Sequence, residues 1–513
     1  MKRFVVALCL MLAPLSAARA ESVLRSMVTT DIRGLMPGNS PDDNTGLVLQ
    51  QIYEGLVAWR SDGTVAPMLA KAVETSEDGR TYAFTLREGV TFHNGAPLTS
   101  REVAWTWERF LDPKSAWPCR TNFDGTRKIK IVEITAPSPE QVVFRLAEPS
   151  GAFLSTMARA DCDGTGIAHP DSVGADGAWQ KAIGTGPFKL AEWRRGQFIE
   201  LVRNEAYAAR SEPADGLAGA KLPKVDRIKL SIVPDPAAAK AAIQSGNLDL
   251  WPSADPKFAS ELKSAGLVIA SAPVASLNAI VMQTGDPLLK DKRIREAIAA
   301  SLDYPGMSDN LTDGFAKPST SLVPLSSRYY GAVEQAGPNL DIARAKKLLS
   351  EAGYKGEPIR ITTNSRFPVM NDVAVLAQAM AQQAGLNLTV EVVEFAAQLI
   401  RYNKGDYQLM VWNYTPYLDP AFGLDRFIGD KAAQPDRVWG NRDAIELLGK
   451  LMETSEPAAR QPLFDALHKL FVDDAPMIVW SSGVNVSAVS PAVRGYAPWA
   501  GRKPRFWNVE VVR

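Results

Sequence analysis

Histidine and cysteine are scarce, with three of each in 513 residues. That leaves little material for a Cys/His metal cluster, so neither a metal nor a cofactor is expected. An excess of one charge is missing too. Lys+Arg 57 balance Asp+Glu 57, which removes any global electrostatic case for nucleic acid or an anionic membrane. No run beyond the first twenty residues approaches the roughly 20 apolar residues of a membrane-spanning helix. Enzyme signatures are absent as well: there is no G-x-S-x-G, no H-E-x-x-H and no G-x-x-x-x-G-K. Gly184-Thr185-Gly186-Pro187 lacks the third glycine of a dinucleotide loop and reads as a turn into a strand near 188–190. Asp161-Cys162-Asp163-Gly164 lacks the alternating ligands and distal Glu of a calcium loop. His93, His169 and His468 are far apart in sequence, and each reads as a surface or turn histidine rather than a general base.

What is present is ordinary globular composition, 46% hydrophobic and 22% charged, at a length that suggests two to four domains. Residues 1–20 have the form of an export signal: Lys2 and Arg3, an apolar stretch over 4–15, then Ala18-Arg19-Ala20. Its removal takes out three bases and no acid, so the remaining chain carries three more acids than bases. It also leaves Cys119 and Cys162 alone in an oxidising compartment. The pair is expected to be bridged, the alternative being two unlinked buried thiols.

Along the chain strands and helices alternate without a fixed-period repeat. Residues 359–362, 388–393 and 407–412 read as strands, with helices over 372–384 and 396–403 between them. This βαβαβ order predicts a largely parallel, covered sheet. A second unit comprises a strand at 227–233, a helix at 236–244 ended by Gly246, and a strand at 248–251. The fold class is α/β with more than one sheet. Thr99-Ser100-Arg101-Glu102 forms a capping box, and Asp341 and Gly353 bracket another helix.

A composite pattern stands out. It runs from Ile52-Tyr53-Glu54-Gly55-Leu56 through Ala66-Pro67-Met68-Leu69-Ala70 and a strand at 78–87. It continues with Gly89-Val90-Thr91-Phe92-His93-Asn94-Gly95 and Pro97-Leu98-Thr99. Further on come Gly184-Thr185-Gly186-Pro187-Phe188, Ile243-Gln244-Ser245-Gly246-Asn247-Leu248-Asp249 and Asp473-Asp474-Ala475-Pro476. In this order the pieces resemble the family 5 extracellular solute-binding proteins, receptors of dipeptide, oligopeptide and nickel ABC importers. The resemblance implies a two-lobed periplasmic-binding-protein fold, type II or cluster C, with an extra inserted domain. On that plan lobe I comprises 21–60, 184–272 and 481–513, the inserted domain 61–183, and lobe II 273–480. It further implies a monomeric, non-catalytic periplasmic receptor that closes on a small-molecule solute and hands it to the permease of an ABC transporter.

Ligands of open parallel sheets sit beyond the carboxyl ends of the strands. Here those ends offer Arg366, suited to a carboxylate or phosphate, and the aromatic run of Trp412, Tyr414, Thr415 and Tyr417. In peptide-binding members of the family, the residue three after the tryptophan matching Trp412 is an Asp that holds the peptide ammonium. This chain has Thr415 there, with Asp419 as a weak substitute. Arg366 resembles an arginine that meets the peptide carboxylate, which points to an anionic or zwitterionic solute, peptide-like or an opine. Arg159 lies near where nickel-complex receptors keep an arginine for chelator carboxylates. A Cys119–Cys162 bridge would bring Trp117, Arg120 and Arg159 into one wall, unless the arginines pair with local acids. Met36, with Gly34 and Leu35, is on the N-terminal loop that faces the cleft in this family. The rival readings are a secreted hydrolase of peptides or glycans, a metal-chelate receptor and a periplasmic chaperone.

Overall fold

The computed structural model describes residues 21–38 and 42–512, and the export signal expected at 1–20 lies outside the described residues. The predicted βαβαβ unit forms, but its sheet is mixed rather than largely parallel, because the strands added beyond Leu409–Tyr414 all pair antiparallel. Strands Ile359–Asn364, Leu388–Val393 and Leu409–Tyr414 alternate with helices Pro368–Gln382 and Phe395–Lys404, and the first strand pairs parallel with both others. They belong to a six-stranded sheet in the order Leu250–Trp251, Met477–Val489, Val268–Met282, Leu409–Tyr414, Ile359–Asn364, Leu388–Val393.

Period-two alternation sorts the side chains of Leu409–Tyr414 between two cores. Leu409 and Val411 join Ile361, Ala374 and Ile478. Met410 and Tyr414 join Ala279, Phe427 and Phe464, and Trp412 packs against that second cluster. With both faces covered, the strands read as nearly continuous apolar runs. The last strand ends at Tyr414, two residues later than the apolar pattern predicts. Trp412 and Tyr414 therefore share one face at its carboxyl end.

A four-stranded sheet, ordered Val23–Val28, Arg227–Ile232, Phe198–Arg203, Phe188–Arg194, organises the other lobe. The strands flanking helix Pro236–Gln244 go to different sheets: Arg227–Ile232 stays here, while Leu250–Trp251 pairs with Met477–Val489. A third sheet is antiparallel, ordered Ala70–Thr75, Thr81–Leu86, Gln141–Leu146, Ile131–Ser138. It shares with helix Ser100–Leu111 an aromatic core containing Phe84, Trp107, Phe110, Phe123, Phe144 and Phe153. That helix starts at the expected capping box, with Thr99 accepting from the Arg101 N–H and Glu102 from the Thr99 N–H at 3.0 Å. Asp341 caps helix Ile342–Ala352, and Gly353 ends it in the left-handed region.

Two long antiparallel strands, Val268–Met282 and Met477–Val489, connect the lobes. Their pairing is interrupted between Pro273 and Leu277 and again between Asn278 and Ala279. On one side of the break Val489 and Ala270 pack into the core of the four-stranded sheet. On the other, Ile280 and Ile478 pack into the core of the six-stranded sheet. Pro273 has no N–H to donate, so the ladder weakens where the chain passes from one core to the next.

Cys119 and Cys162 are joined, with Cα atoms 6.0 Å apart and a sequence separation of 43. Next to the bridge, buried Lys503 donates to the Ala160 carbonyl at 2.7 Å and meets Asp163 at 3.3 Å. Asp163 in turn accepts from the Gly38 N–H at 2.8 Å, which fixes the end of the N-terminal loop. Closing a loop of this length stabilises the fold by about 4 kcal/mol in the chain-entropy account. Replacing both cysteines with serine is expected to lower the unfolding free energy by about that amount. Urea titration of the two proteins checks it, and equal midpoints would refute the cross-link's contribution.

Candidate functional site

The strand-end geometry places the aromatic residues first. Trp412 stacks on Tyr402, ring centroids 4.1 Å apart and 2° from parallel. Tyr402 in turn stacks on Tyr407 at 6.3 Å, and its hydroxyl meets that of Tyr414 at 3.2 Å. One face of Trp412 is thus covered, and its remaining surface is what a solute could touch. Burial pushes the Tyr402 and Tyr414 hydroxyls above the ordinary phenol range, so both are neutral hydrogen-bonding groups.

Arg366 lies two residues beyond strand Ile359–Asn364. The turn is pinned by Asn364, which accepts from the Phe367 N–H at 2.9 Å and donates to Gln398 at 2.7 Å. The Arg366 guanidinium is exposed and lies 5.5 Å from the ring centres of both Phe367 and Phe395. No carboxylate pairs with it among the described residues.

Thr415 is exposed and borders a cavity of about 10 Å³ together with Ser276, Tyr414, Tyr417 and Pro420. That is room for about one water molecule. Asp419 does not stand in for the missing acid. It is buried, pairs with Arg460 at 2.9 Å and caps a short helix through the Ala421 N–H.

The residues grouped around the disulfide separate into core and seam. Trp117 is 2% exposed and stacked on Phe110 at 4.2 Å, so it is a core aromatic with no face left for a solute. Met36 is buried in the same core. Arg120 pairs with Asp124 at 2.6 Å. Arg159 forms a two-point pair with Asp161, at 3.0 and 2.6 Å, and donates to Asn122. Burial disfavours the Asp161 charge, but Arg159 outweighs it and holds the carboxyl below the usual range. The local-acid alternative therefore describes both arginines. Arg159 nevertheless reaches the opposite lobe, with its guanidinium 5.5 Å from the Tyr417 ring centre and 5.4 Å from that of Phe422.

The lobes are in contact along this seam. Phe422, from the lobe of the six-stranded sheet, is buried in the aromatic core of the Trp107 sheet, and Tyr417 and Leu418 pack on it. Gly151 lies so close to the Glu453 carbonyl that a Cβ there would come within 2.3 Å of the oxygen. Arg127 meets Asp425 at 3.7 Å, and Arg328 meets Asp62 at 3.3 Å. Sequence reasoning missed Tyr402, Phe422, Asp425 and Arg127. One signal was available, the Asp-Arg pair repeated at 425–426 and 436–437 just after the aromatic run.

The histidines are structural. His93 faces the Gly186 carbonyl at 3.0 Å, His169 lies beside Asp171, and His468 is 1% exposed and meets the Ala336 carbonyl at 2.7 Å. His468 is thus a core residue rather than a surface one. Among the described residues no His/Cys/Asp/Glu group could hold a metal ion, and no helix is long and apolar enough to cross a membrane.

Separately packed cores, two linking strands and a seam of polar and aromatic side chains give the chain the two-lobed architecture of a solute-binding protein. The profile of the bacterial extracellular solute-binding proteins, family 5 (middle), matches residues 64–434, and the chain belongs to this family. A probable D,D-dipeptide-binding periplasmic protein, DdpA of Escherichia coli K12, is 25% identical over 501 residues, covering 94% of this chain and 92% of its own. Among solved structures, the substrate-binding protein CtaP of Listeria monocytogenes has a TM-score of 0.81 at 24% identity, covering 96% of this chain and all (100%) of its own. AgaA of A. tumefaciens R10, solved with agropinic acid, has a TM-score of 0.74 at 22% identity, covering 96% and 99%. These likenesses establish the two-lobed family 5 architecture.

Gly151→Val is expected to wedge the seam open and weaken solute binding, read as a larger radius of gyration in solution scattering. An unchanged profile would show that this contact does not limit approach of the lobes. Burial pushes His93 from 6.5 down to about 4, so across that window the unfolded chain takes up a proton that the folded chain refuses. Stability is therefore expected to fall as pH drops from 6.5 towards 4, by on the order of 3 kcal/mol from this group. His93→Gln, which keeps a donor for Gly186, should flatten the slope of melting temperature against pH; a slope equal to that of the unsubstituted protein counts against it.

Proposed function

We propose that the protein is a periplasmic, monomeric and non-catalytic receptor, exported by a signal at 1–20, that captures a small anionic or zwitterionic solute. It delivers the solute to the permease of an ABC importer. The solute class is peptide-like compounds and opines. Family membership supports the receptor role and the permease partner. The observation that carries the solute class is the state of the acids beside Trp412. Thr415 has no charge, and Asp419 is held by Arg460. A free ammonium placed there would lack a charge-assisted partner, a loss of about 1.5–3 kcal/mol relative to a peptide receptor with an acid at that position.

In this reading Trp412 presents its uncovered surface to the apolar part of the solute, with Tyr414 and Tyr417 beside it. Arg366 meets an acidic group at the sheet edge, where its guanidinium pairs with no carboxylate among the described residues. Arg159 borders the site through Tyr417 while bound to Asp161. The lobes would part about the interrupted strands near Pro273 and close on the solute.

A library of peptides, acylated peptides, opines and organic acids, screened by thermal shift with mass spectrometry of the recovered solute, tests the role. One class is expected to raise the melting temperature and to be recovered intact; turnover of the bound compound would instead support the hydrolase reading. Trp412→Ala and Arg366→Ala, made separately, are each expected to weaken binding by about 1 kcal/mol or more. If both bind normally by calorimetry, the site lies elsewhere in the cleft.

A further inference from the structure

A turn of one lobe is gripped by two separate segments of the other. The turn is 60–64, between strands Val57–Trp59 and Val65–Pro67. The Arg60 N–H donates to the Thr64 carbonyl at 2.7 Å and the Gly63 N–H to the Arg60 carbonyl at 3.2 Å. Asp215 ties the turn to its own lobe by accepting from the Ser61 N–H at 2.9 Å. Asp62 divides its two oxygens. Oδ1 accepts from the Thr64 N–H and hydroxyl, at 2.9 and 2.6 Å, while Oδ2 meets Arg328 of the opposite lobe at 3.3 Å. Gly63 has a φ of +79°, and a Cβ there would come within 2.7 Å of the Leu418 carbonyl oxygen. Leu418 therefore lies directly on the turn.

Arg328 and Leu418 are 90 positions apart in sequence, yet one side chain links the segments that carry them. Arg460, buried on helix Pro457–Asp474, donates to the Tyr329 hydroxyl at 3.3 Å and to Asp419 at 2.9 Å. Each partner is the chain neighbour of a gripping residue, Tyr329 of Arg328 and Asp419 of Leu418. A guanidinium suits this task because its donors leave in fixed, divergent directions. Gln461, next on the same helix, donates to the Tyr329 carbonyl at 3.1 Å, and the Tyr329 ring packs on Phe464 at 4.4 Å. An exposed ion pair such as Asp62–Arg328 contributes little when both arms must be ordered to make it. Here much of that ordering is already done before the lobes meet, so less of the contact is lost to it.

We infer that these contacts form a latch between the lobes. Asp62 and Arg328 are its charged catch, and Arg460 is the positioning residue that sets both gripping segments. The inference goes beyond the receptor reading and needs only the two-lobed architecture. None of Asp62, Arg328, Tyr329 and Arg460 is assigned to the solute, so the latch governs how readily the lobes meet and not which solute is chosen.

The test measures lobe separation with no solute added, at low ionic strength where the ion pair is least screened. Solution scattering and hydrogen exchange along 414–425 are the readouts. Asp62→Asn keeps an acceptor for Thr64 and removes the charge that faces Arg328; Arg328→Gln removes the other half of the pair. Each is expected to shift the balance towards parted lobes by about twofold to fivefold, and the double variant should go no further than either alone. Tyr329→Phe keeps the ring on Phe464 and cuts the link to Arg460. It should part the lobes in the unsubstituted protein and add nothing in the Asp62→Asn background, whereas a merely structural hydroxyl would act equally in both. The latch is overturned by unchanged separation in Asp62→Asn, by additive effects of the two catch variants, or by an equal effect of Tyr329→Phe in both backgrounds. Any of these would leave the receptor reading standing, and failure of the solute screen would leave the latch standing.

Discussion

Two strands carry the mechanical connection of this molecule. Val268–Met282 and Met477–Val489 run antiparallel through both lobes and lose their register where Pro273 removes a donor. Backbone hydrogen bonds hold each end of the pair to a separate core, while the middle lacks a continuous ladder. Bending concentrates where bonds are fewest. The connection between the two faces of the seam is therefore most compliant there.

Those faces are unlike in chemistry. One brings an aromatic core, a short N-terminal loop and arginines tied by a cross-linked turn. The other brings the carboxyl ends of parallel strands, with Trp412 and Tyr414 on one face by simple alternation, and a loop rich in Asp-Arg pairs. Phe422 crosses the boundary and is buried on the far side, while Arg159 lies near the rings of Tyr417 and Phe422. Each such cation–ring contact contributes about 0.5–2 kcal/mol, depending on how dry it is. That is comparable to the net contribution of one hydrogen bond.

Much of the fold was legible because its signals are local. Alternation marked Leu388–Val393 to the residue, and the cap at Thr99 needs only four consecutive residues. Strand Leu409–Tyr414 extends further than its apolar pattern because tertiary packing orders Asn413 and Tyr414. The candidate site was legible only where it coincided with strand ends. Trp117 looked like a wall residue and is a core one, since an aromatic side chain in sequence says nothing about which neighbours cover it. Arg127 and Asp425 lie 298 positions apart in sequence, and no pattern along the chain brings them together; the seam does, at 3.7 Å.

The cross-link has a mechanical corollary. Cys119 and Cys162 both lie on the same side of the interrupted strands, and so do Lys503 and Asp163 beside them. Stiffness is thus added to the element that presents Arg159, while among the described residues no disulfide joins one lobe to the other. In the receptor proposed above, an oxidising environment would harden that element without restraining closure of the lobes, and loss of the bond would loosen the surface around Arg159 before it altered how far the lobes travel.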